Sequence, residues 1–269
     1  MNDEGRRIHV ALHGASGRMG QAVLRAARQC DMVISAALVR PGSALIDVPL
    51  RQILGESVGE LEFRAALDPD VTVDALVDFS GPHAFDAALA LALERRAAFV
   101  SGTTGLSPHQ LGEMHRASAA IPVLWTSNFS LGVALMRRFA RVAARVLPDW
   151  DCEIVEMHHR RKADAPSGTA LTLGEAVAEG RGLALDEVAA HGRCGQTGAR
   201  PPGQIGFHAL RGGDVVGEHT VIFASDDERI EFTHRAANRE IFARGALLAA
   251  RWLAAAKPGR YDMDDVLGD

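Results

Sequence analysis

Apolar runs of β character alternate with helical segments over the first 130 residues, and then the alternation stops. Ile8–Leu12 reads as a strand, Gln21–Gln29 as a helix, Val33–Val39 and Val73–Phe79 as strands, and Ala84–Arg95 as a helix. Phe99–Ser101 and Val123–Thr126 close the series as short strands. Strands separated by helices imply an α/β layer on a mostly parallel sheet, because parallel neighbours need a crossover between them. From about 150 to 235 strands dominate: Cys152–His158, Ile205–Leu210, Val215–Phe223 and Arg229–Arg235, with one long helix at Thr169–Glu179. That is the pattern of a second, α+β domain on an open, mixed or largely antiparallel sheet. The Gly/Pro/Arg-rich stretch His191–Gly203 reads as a mobile loop within it. The last helix, Glu240–Ala256, reads as a return to the first domain, and 269 residues leave room for both.

Composition removes several classes of function. A net charge of −5 leaves no broad basic surface, so neither nucleic acid nor an anionic membrane is an expected partner. The Ala-rich runs 84–93 and 246–256 are broken by Asp86 and Arg251, and no stretch approaches the roughly 18–20 apolar residues of a membrane span. The start, MNDEGRRIHVALHG, lacks the apolar core of a signal peptide. Cys30, Cys152 and Cys194 are odd in number and far apart, which gives neither a disulfide framework nor a metal-binding pair. A reducing cytoplasm fits that usage.

Gly14-Ala15-Ser16-Gly17-Arg18-Met19-Gly20 follows the first strand and opens the first helix. This is the context of a dinucleotide-binding turn: Gly14 for the tight turn, Gly17 for approach of a pyrophosphate, Gly20 for close helix–strand packing. The spacing is G-x-x-G-x-x-G, and a purely structural turn into a packed helix could carry the same string. Arg18 adds a cation beside the phosphates. At the end of the second strand, where a carboxylate would accept from a ribose, the chain has Val39 and then Arg40. An arginine there suits a 2′-phosphate, although a surface arginine in a turn reads the same way. Gly102-Thr103-Thr104 and Thr126-Ser127-Asn128-Phe129 follow later strands, at the carboxyl ends where ligands of such sheets sit.

Residues 153–170, EIVEMHHRRKADAPSGTA, concentrate chemistry. His158, His159, Arg160, Arg161 and Lys162 cannot all enter an ordinary core. They suit a doubly anionic small molecule and a proton supply. Ser167-Gly168-Thr169 adds free N–H groups at a helix start, where an anion is favoured. A solvated basic patch is the plain alternative, but it does not require a Gly-Thr helix start beside it.

Taken together, GASGRMG at 14–20, DFS at 78–80, GTTG at 102–105, SNFSLGV at 127–133, EMHHRRKADAPSGTA at 156–170 and PPGQIGFHALRGGDVVGEHTVIF at 201–223 resemble the 4-hydroxy-tetrahydrodipicolinate (dihydrodipicolinate) reductase family nearly end to end. The 156–170 stretch carries most of that likeness. The resemblance implies an NAD(P)H-dependent oxidoreductase of diaminopimelate and lysine biosynthesis. In it, hydride passes to a cyclic imine dicarboxylate and water is lost overall. It implies a Rossmann-like dinucleotide domain over 1–130 with 241–269, a substrate domain over 131–240, and a homotetramer. By correspondence His158 is the proton donor/acceptor and Lys162 the proton donor. Substrate binding falls to His159, Lys162, Ser167, Gly168 and Thr169. Coenzyme binding falls to Gly14, Ala15, Ser16, Gly17, Arg18, Met19, Arg40, Gly102, Thr103, Thr104, Thr126, Ser127, Asn128 and Phe129. No metal is implied. Val39, where relatives using both coenzymes often carry an acid, points to NADPH over NADH. Two rivals share the glycine turn: another dehydrogenase on the same fold, and a non-catalytic dinucleotide sensor. Neither needs His158 and Lys162 together.

Overall fold

The computed structural model describes residues 7–55 and 60–268; the charged start of the chain, 1–6, lies outside the described residues. The chain forms two compact units, Met1–Phe129 with Arg239–Asp269, and Ser130–Asn238. The first unit contains strands β1 (Ile8–His13), β2 (Met32–Leu38), β3 (Phe63–Arg64), β4 (Ala75–Asp78), β5 (Ala98–Ser101) and β6 (Pro122–Trp125). Between them lie helices α1 (Arg18–Ala27), α2 (Leu50–Leu54), α3 (Pro82–Arg95) and α4 (Pro108–Ala117). The second unit runs α5 (Leu131–Val146), β7 (Asp151–His158), α6 (Gly168–Arg181), α7 (Leu185–Val188), β8 (Ala189–His191), β9 (Ile205–Arg211), β10 (Gly217–Ala224) and β11 (Arg229–Ala236). The chain then returns to the first unit with α8 (Glu240–Ala254), β12 (Gly259–Tyr261) and α9 (Met263–Leu267).

The first sheet is parallel throughout, in the order β12-β6-β5-β4-β1-β2-β3. Its strands are buried on both faces, which explains their near-continuous apolar character. On one face Leu76, Phe85, Phe99, Met114 and Ile121 join α3 and α4 to the strands. Ala22 and Val23 of α1 and Ala243, Ala246, Leu247 and Ala250 of α8 are likewise buried. Strand order reverses between β1 and β4, whose last residues, His13 and Asp78, are register partners. Such a reversal opens a crevice at the carboxyl ends, where ligands bind. The glycine turn is built for that place. A Cβ on Gly14 (φ +78°) would come within 2.7 Å of the Phe79 backbone, and one on Gly20 within 2.8 Å of Ala15.

The second sheet has the order β11-β10-β7-β9-β8. β10 is antiparallel to both β7 and β11, whereas β9 is parallel to β7 and β8. The sheet is therefore mixed, because α6 supplies a crossover after β7. Along β7, burial alternates residue by residue, and Cys152 and Ile154 face a core with Leu173, Val177, Phe207, Val221 and Phe223. Sequence periodicity gave this unit one long helix, but α5 is a second. Its buried residues are mostly small, Ala134, Ala140 and Ala144 among them, and arginines interrupt the stripe. Ser130 caps α5 by accepting from Val133 N–H, and Ser167 caps α6 by accepting from Ala170 N–H. The loop read as mobile is tethered. Arg193 and Arg200 both donate to Glu153, and Arg200 also pairs with Asp151 at 2.6 Å.

Candidate active site

In the first unit, a cavity of about 580 Å³ opens at the strand reversal. Gly14, Ser16, Gly17 and Arg40 line it, joined by His13, Ser80 and the first turns of α3 through His83, Ala84 and Ala87. Gly14 and Ala15 N–H groups are already bound to Leu38 O, and Gly17 N–H to Gly14 O. Gly17 is the N-cap of α1 and places no side chain over its first turn. The N-terminal N–H groups that begin at Arg18 and Met19 are thus left for an anion. Arg40 stands exposed on the wall, no carboxylate among the described residues lines the cavity, and Val39 behind it is buried. A glycine cradle that a Cβ would fill, an uncapped helix start and apolar walls of Pro41, Ala84 and Ala87 fit a dinucleotide.

Behind this wall lies Asp78, with no exposed surface. Its Oδ1 accepts from Ser80 N–H (3.1 Å) and Ser80 Oγ (2.6 Å) and meets His13 Nδ1 at 3.2 Å. Its Oδ2 accepts from Ser101 Oγ (2.9 Å) and Thr103 Oγ1 (2.7 Å). Burial alone would push this carboxyl up; the bonds from His13, Ser80, Thr103 and Ser101 outweigh that and hold it below the usual aspartate value. Thr103 is thus turned inward and Thr104 outward. A side chain at Gly102 would strike the Phe79 ring. Thr126 closes a small turn with Asn128, accepting from its N–H and donating to its carbonyl. Ser127 is exposed at its tip, while Phe129 is buried edge-on to Phe79 at 5.6 Å.

In the second unit, the basic segment leaves β7 at His158. His158 and Glu156 share a strand face two residues apart, and His158 Nδ1 lies 2.6 Å from Glu156 Oε2. Arg211, the register partner of His158 on β9, donates to both oxygens of Glu156 at 2.7 and 2.9 Å. Ser167 N–H donates to Glu156 Oε1 at 3.0 Å. Burial would raise Glu156; the Arg211 and His158 bonds overcome it and hold the carboxyl low. Burial lowers His158 below the ordinary histidine value; the Glu156 bond opposes this, and Lys162 and Arg211 add to it. The His219 ring packs edge-on to His158 at 5.1 Å and is pushed down to about 4, first by burial and then by His158. Lys162 Nζ holds both oxygens of Asp164 at 2.8 and 2.9 Å. Arg161 pairs with Asp214 instead.

The start of α6 is open at Gly168, where an added Cβ would meet nothing within 4 Å. Ser167 is spent on structure: its hydroxyl caps α6 and meets His219 Nε2 at 3.0 Å, and its N–H serves Glu156. His159 is partly buried, and its Nδ1 is sealed from solvent without a partner.

The comparisons with known proteins decide the family. Residues 8–129 match the family model described as dihydrodipicolinate reductase, N-terminus, and residues 132–267 match that of its C-terminus. The chain belongs to the dihydrodipicolinate reductase family. The 4-hydroxy-tetrahydrodipicolinate reductases of Alkalilimnicola ehrlichii and Magnetococcus marinus are each 46% identical to it, over 96% and 97% of this chain and 98% of each relative. A dipicolinate-bound dihydrodipicolinate reductase from Paenisporosarcina sp. TG-14 superposes with a TM-score of 0.75 at 25% identity, covering 96% of this chain and 98% of that one. A probable dehydrogenase from Thermotoga maritima shares the fold alone, at a TM-score of 0.62 and 10% identity, over 96% of this chain and 92% of that one. The fold thus extends to dehydrogenases beyond this family. Sequence reasoning passed over Glu156, Arg211, His219, His13 and Asp78. DFS at 78–80 was visible as a motif, but its aspartate gains meaning only from the strand order.

Proposed function

We infer that the chain reduces 4-hydroxy-tetrahydrodipicolinate to tetrahydrodipicolinate with NAD(P)H, in diaminopimelate and lysine biosynthesis. The observation that carries this reading is the convergence in one segment of the His158–Glu156 pair, Lys162 on Asp164, and the open helix start at Gly168. The coenzyme, when bound, supplies a hydride, and water leaves the substrate overall. The chain's own residues bind two carboxylates and manage one proton. Gly168 and Thr169 hold one carboxylate at the start of α6. His159 and Lys162 provide donors for the anion, with Arg160 and Arg161 raising the local positive potential. Hydride addition to the conjugated imine builds electron density that a proton neutralises. Lys162 donates that proton, and His158 acts as donor/acceptor. A coupled assay tests the reading: pyruvate and aspartate semialdehyde with the upstream synthase, following NADPH oxidation. Pyridine-2,6-dicarboxylate, a planar stable dicarboxylate, is expected to compete with the substrate. No competition at millimolar concentration would remove the dicarboxylate assignment.

Arg40 is the residue that selects the coenzyme. Exposed on the cavity wall beside a buried Val39 whose side chain accepts nothing, it would pair with the 2′-phosphate of NADPH through charge-assisted hydrogen bonds. Such bonds are typically worth about 1.5–3 kcal/mol, or roughly 10- to 150-fold in affinity. NADPH is therefore expected to bind more tightly than NADH by a factor of that order. Arg40→Ala should abolish most of the difference by weakening NADPH while leaving NADH nearly unchanged. Dissociation constants for both coenzymes at one ionic strength decide it, and equal affinities in the wild type would overturn it.

Assembly as a homotetramer belongs to the same reading. The face of the second sheet turned away from α5 and α6 presents partly buried Val155, Met157 and Ile222 interleaved with Glu153, Glu218 and Thr220, a mixed face suited to a sheet-to-sheet contact.

A further inference from the structure

We propose that Glu156 is a positioning residue for the reduction: it fixes His158 in the tautomer with its proton on Nδ1, so that Nε2 is the atom at which His158 exchanges its proton. This rests on the reading of His158 as proton donor/acceptor, but the geometry that carries it does not. Glu156 is 1% exposed, and four donors converge on its two oxygens: two from Arg211, one from Ser167 N–H and one from His158. An ionised carboxylate only accepts, so the 2.6 Å contact obliges Nδ1 to carry the hydrogen. Nε2 then keeps its lone pair. Among the described residues it has no hydrogen-bond partner, and it is not one of the sealed polar atoms, unlike Nδ1 of His159 or His219. It lies against Gly217, where a Cβ would approach to 3.0 Å.

The charges around the ring explain why Glu156 positions His158 without converting it to an imidazolium. Arg211 on β9 neutralises the carboxylate through two bonds. Lys162, in the loop after β7, is cationic and paired with Asp164; His219, on β10, is held neutral by burial. Among the described residues, the groups besides Glu156 that act on the ring are thus the cations Lys162 and Arg211, with the neutral His219 packed edge-on. The carboxylate contributes orientation, and its charge, shared with Arg211, only partly offsets the burial that lowers His158.

Glu156→Gln tests this sharply, because a glutamine cannot satisfy the site in either orientation. One way its NH₂ faces Arg211 and Ser167 N–H; the other way it faces Arg211 and His158, and the imidazole tautomer reverses. We expect kcat to fall about 10²-fold, with the substrate KM changing by less than about tenfold. Glu156→Asp, which keeps an acceptor, should recover at least about tenfold of that loss. A folded Glu156→Gln enzyme with kcat within about threefold of wild type would overturn the proposal. Should that variant fail to fold, the wild type decides. In protein labelled with ¹⁵N-histidine, long-range ¹H–¹⁵N spectra, assigned by loss of one ring in His158→Gln, should show His158 protonated on Nδ1 alone near neutral pH. A proton on Nε2, alone or with Nδ1, overturns it. A wild type inactive in the coupled assay would strike the functional reading instead, while the spectrum would still report the tautomer.

Discussion

Lys162→Ala is expected to fold and to lose about 10²-fold or more in kcat. The side chain is one-fifth exposed and, among the described residues, its ion-pair partner is Asp164, itself at the surface, so removal leaves no buried group stranded. β7 ends before Lys162, and the residue adds nothing to the sheet. The loss therefore reports chemistry. Two contributions are separable. On the proposed reading, Lys162 would lower KM as a cation beside the anion site and would raise kcat as the proton donor. Lys162→Arg keeps the charge but not a transferable proton, since a guanidinium does not deprotonate in proteins. The expected pattern is a KM near wild type with kcat still depressed for arginine, and both parameters impaired for alanine. His158→Ala should match the alanine loss in kcat. A folded Lys162→Ala enzyme with near-wild-type kcat would remove Lys162 from the proton path.

How much of this site was legible in the sequence depends on how far apart its partners lie. The glycine turn, Arg40 and the segment 158–169 are local, and their chemistry can be read from adjacent letters. The strands of both units also fall within a few residues of their apolar runs; β10 starts at Gly217, past Val215, because Gly213 and Asp214 form a turn. The partners of these residues are not local. Glu156 is two positions from His158 and could have been suspected, yet its role requires Arg211, brought opposite His158 only by the parallel pairing of β7 with β9. Nothing in residues 205–211 announces that register. The two- and three-residue strands β3, β8 and β12 carry no periodicity at all. Ser167 illustrates the reverse case. Its place beside Gly168 invites a ligand role, whereas a cap position and a neighbouring His219 consume its hydroxyl.

Asp78→Ala is expected to cost about 3–5 kcal/mol of stability, and Asp78→Asn only about 1–2 kcal/mol. The carboxylate ties together the loops that follow β1, β4 and β5 through His13, Ser80, Ser101 and Thr103. Alanine strands those donors, two of them on fully or nearly fully buried residues. Asparagine can keep its oxygen toward Ser80 N–H and His13. Its NH₂ then faces the hydroxyls of Ser101 and Thr103, which accept as readily as they donate. The difference between the two variants thus separates loss of charge from loss of the network. Coenzyme binding should follow the network: NADPH affinity falls in the alanine variant, whose Gly14 and Gly102–Thr104 loops lose their common anchor, and stays within about threefold in the asparagine variant. The pH dependence has a definite sign. Asp78 is depressed in the folded state, so its contribution is complete above the usual aspartate value of about 3.9 and is lost as pH falls through the folded value. Urea unfolding should show the gap between wild type and Asp78→Asn narrowing only below about pH 4. Equal stabilities for the alanine and asparagine variants would mean that the hydroxyls find other partners, and that Asp78 does not organise the three loops.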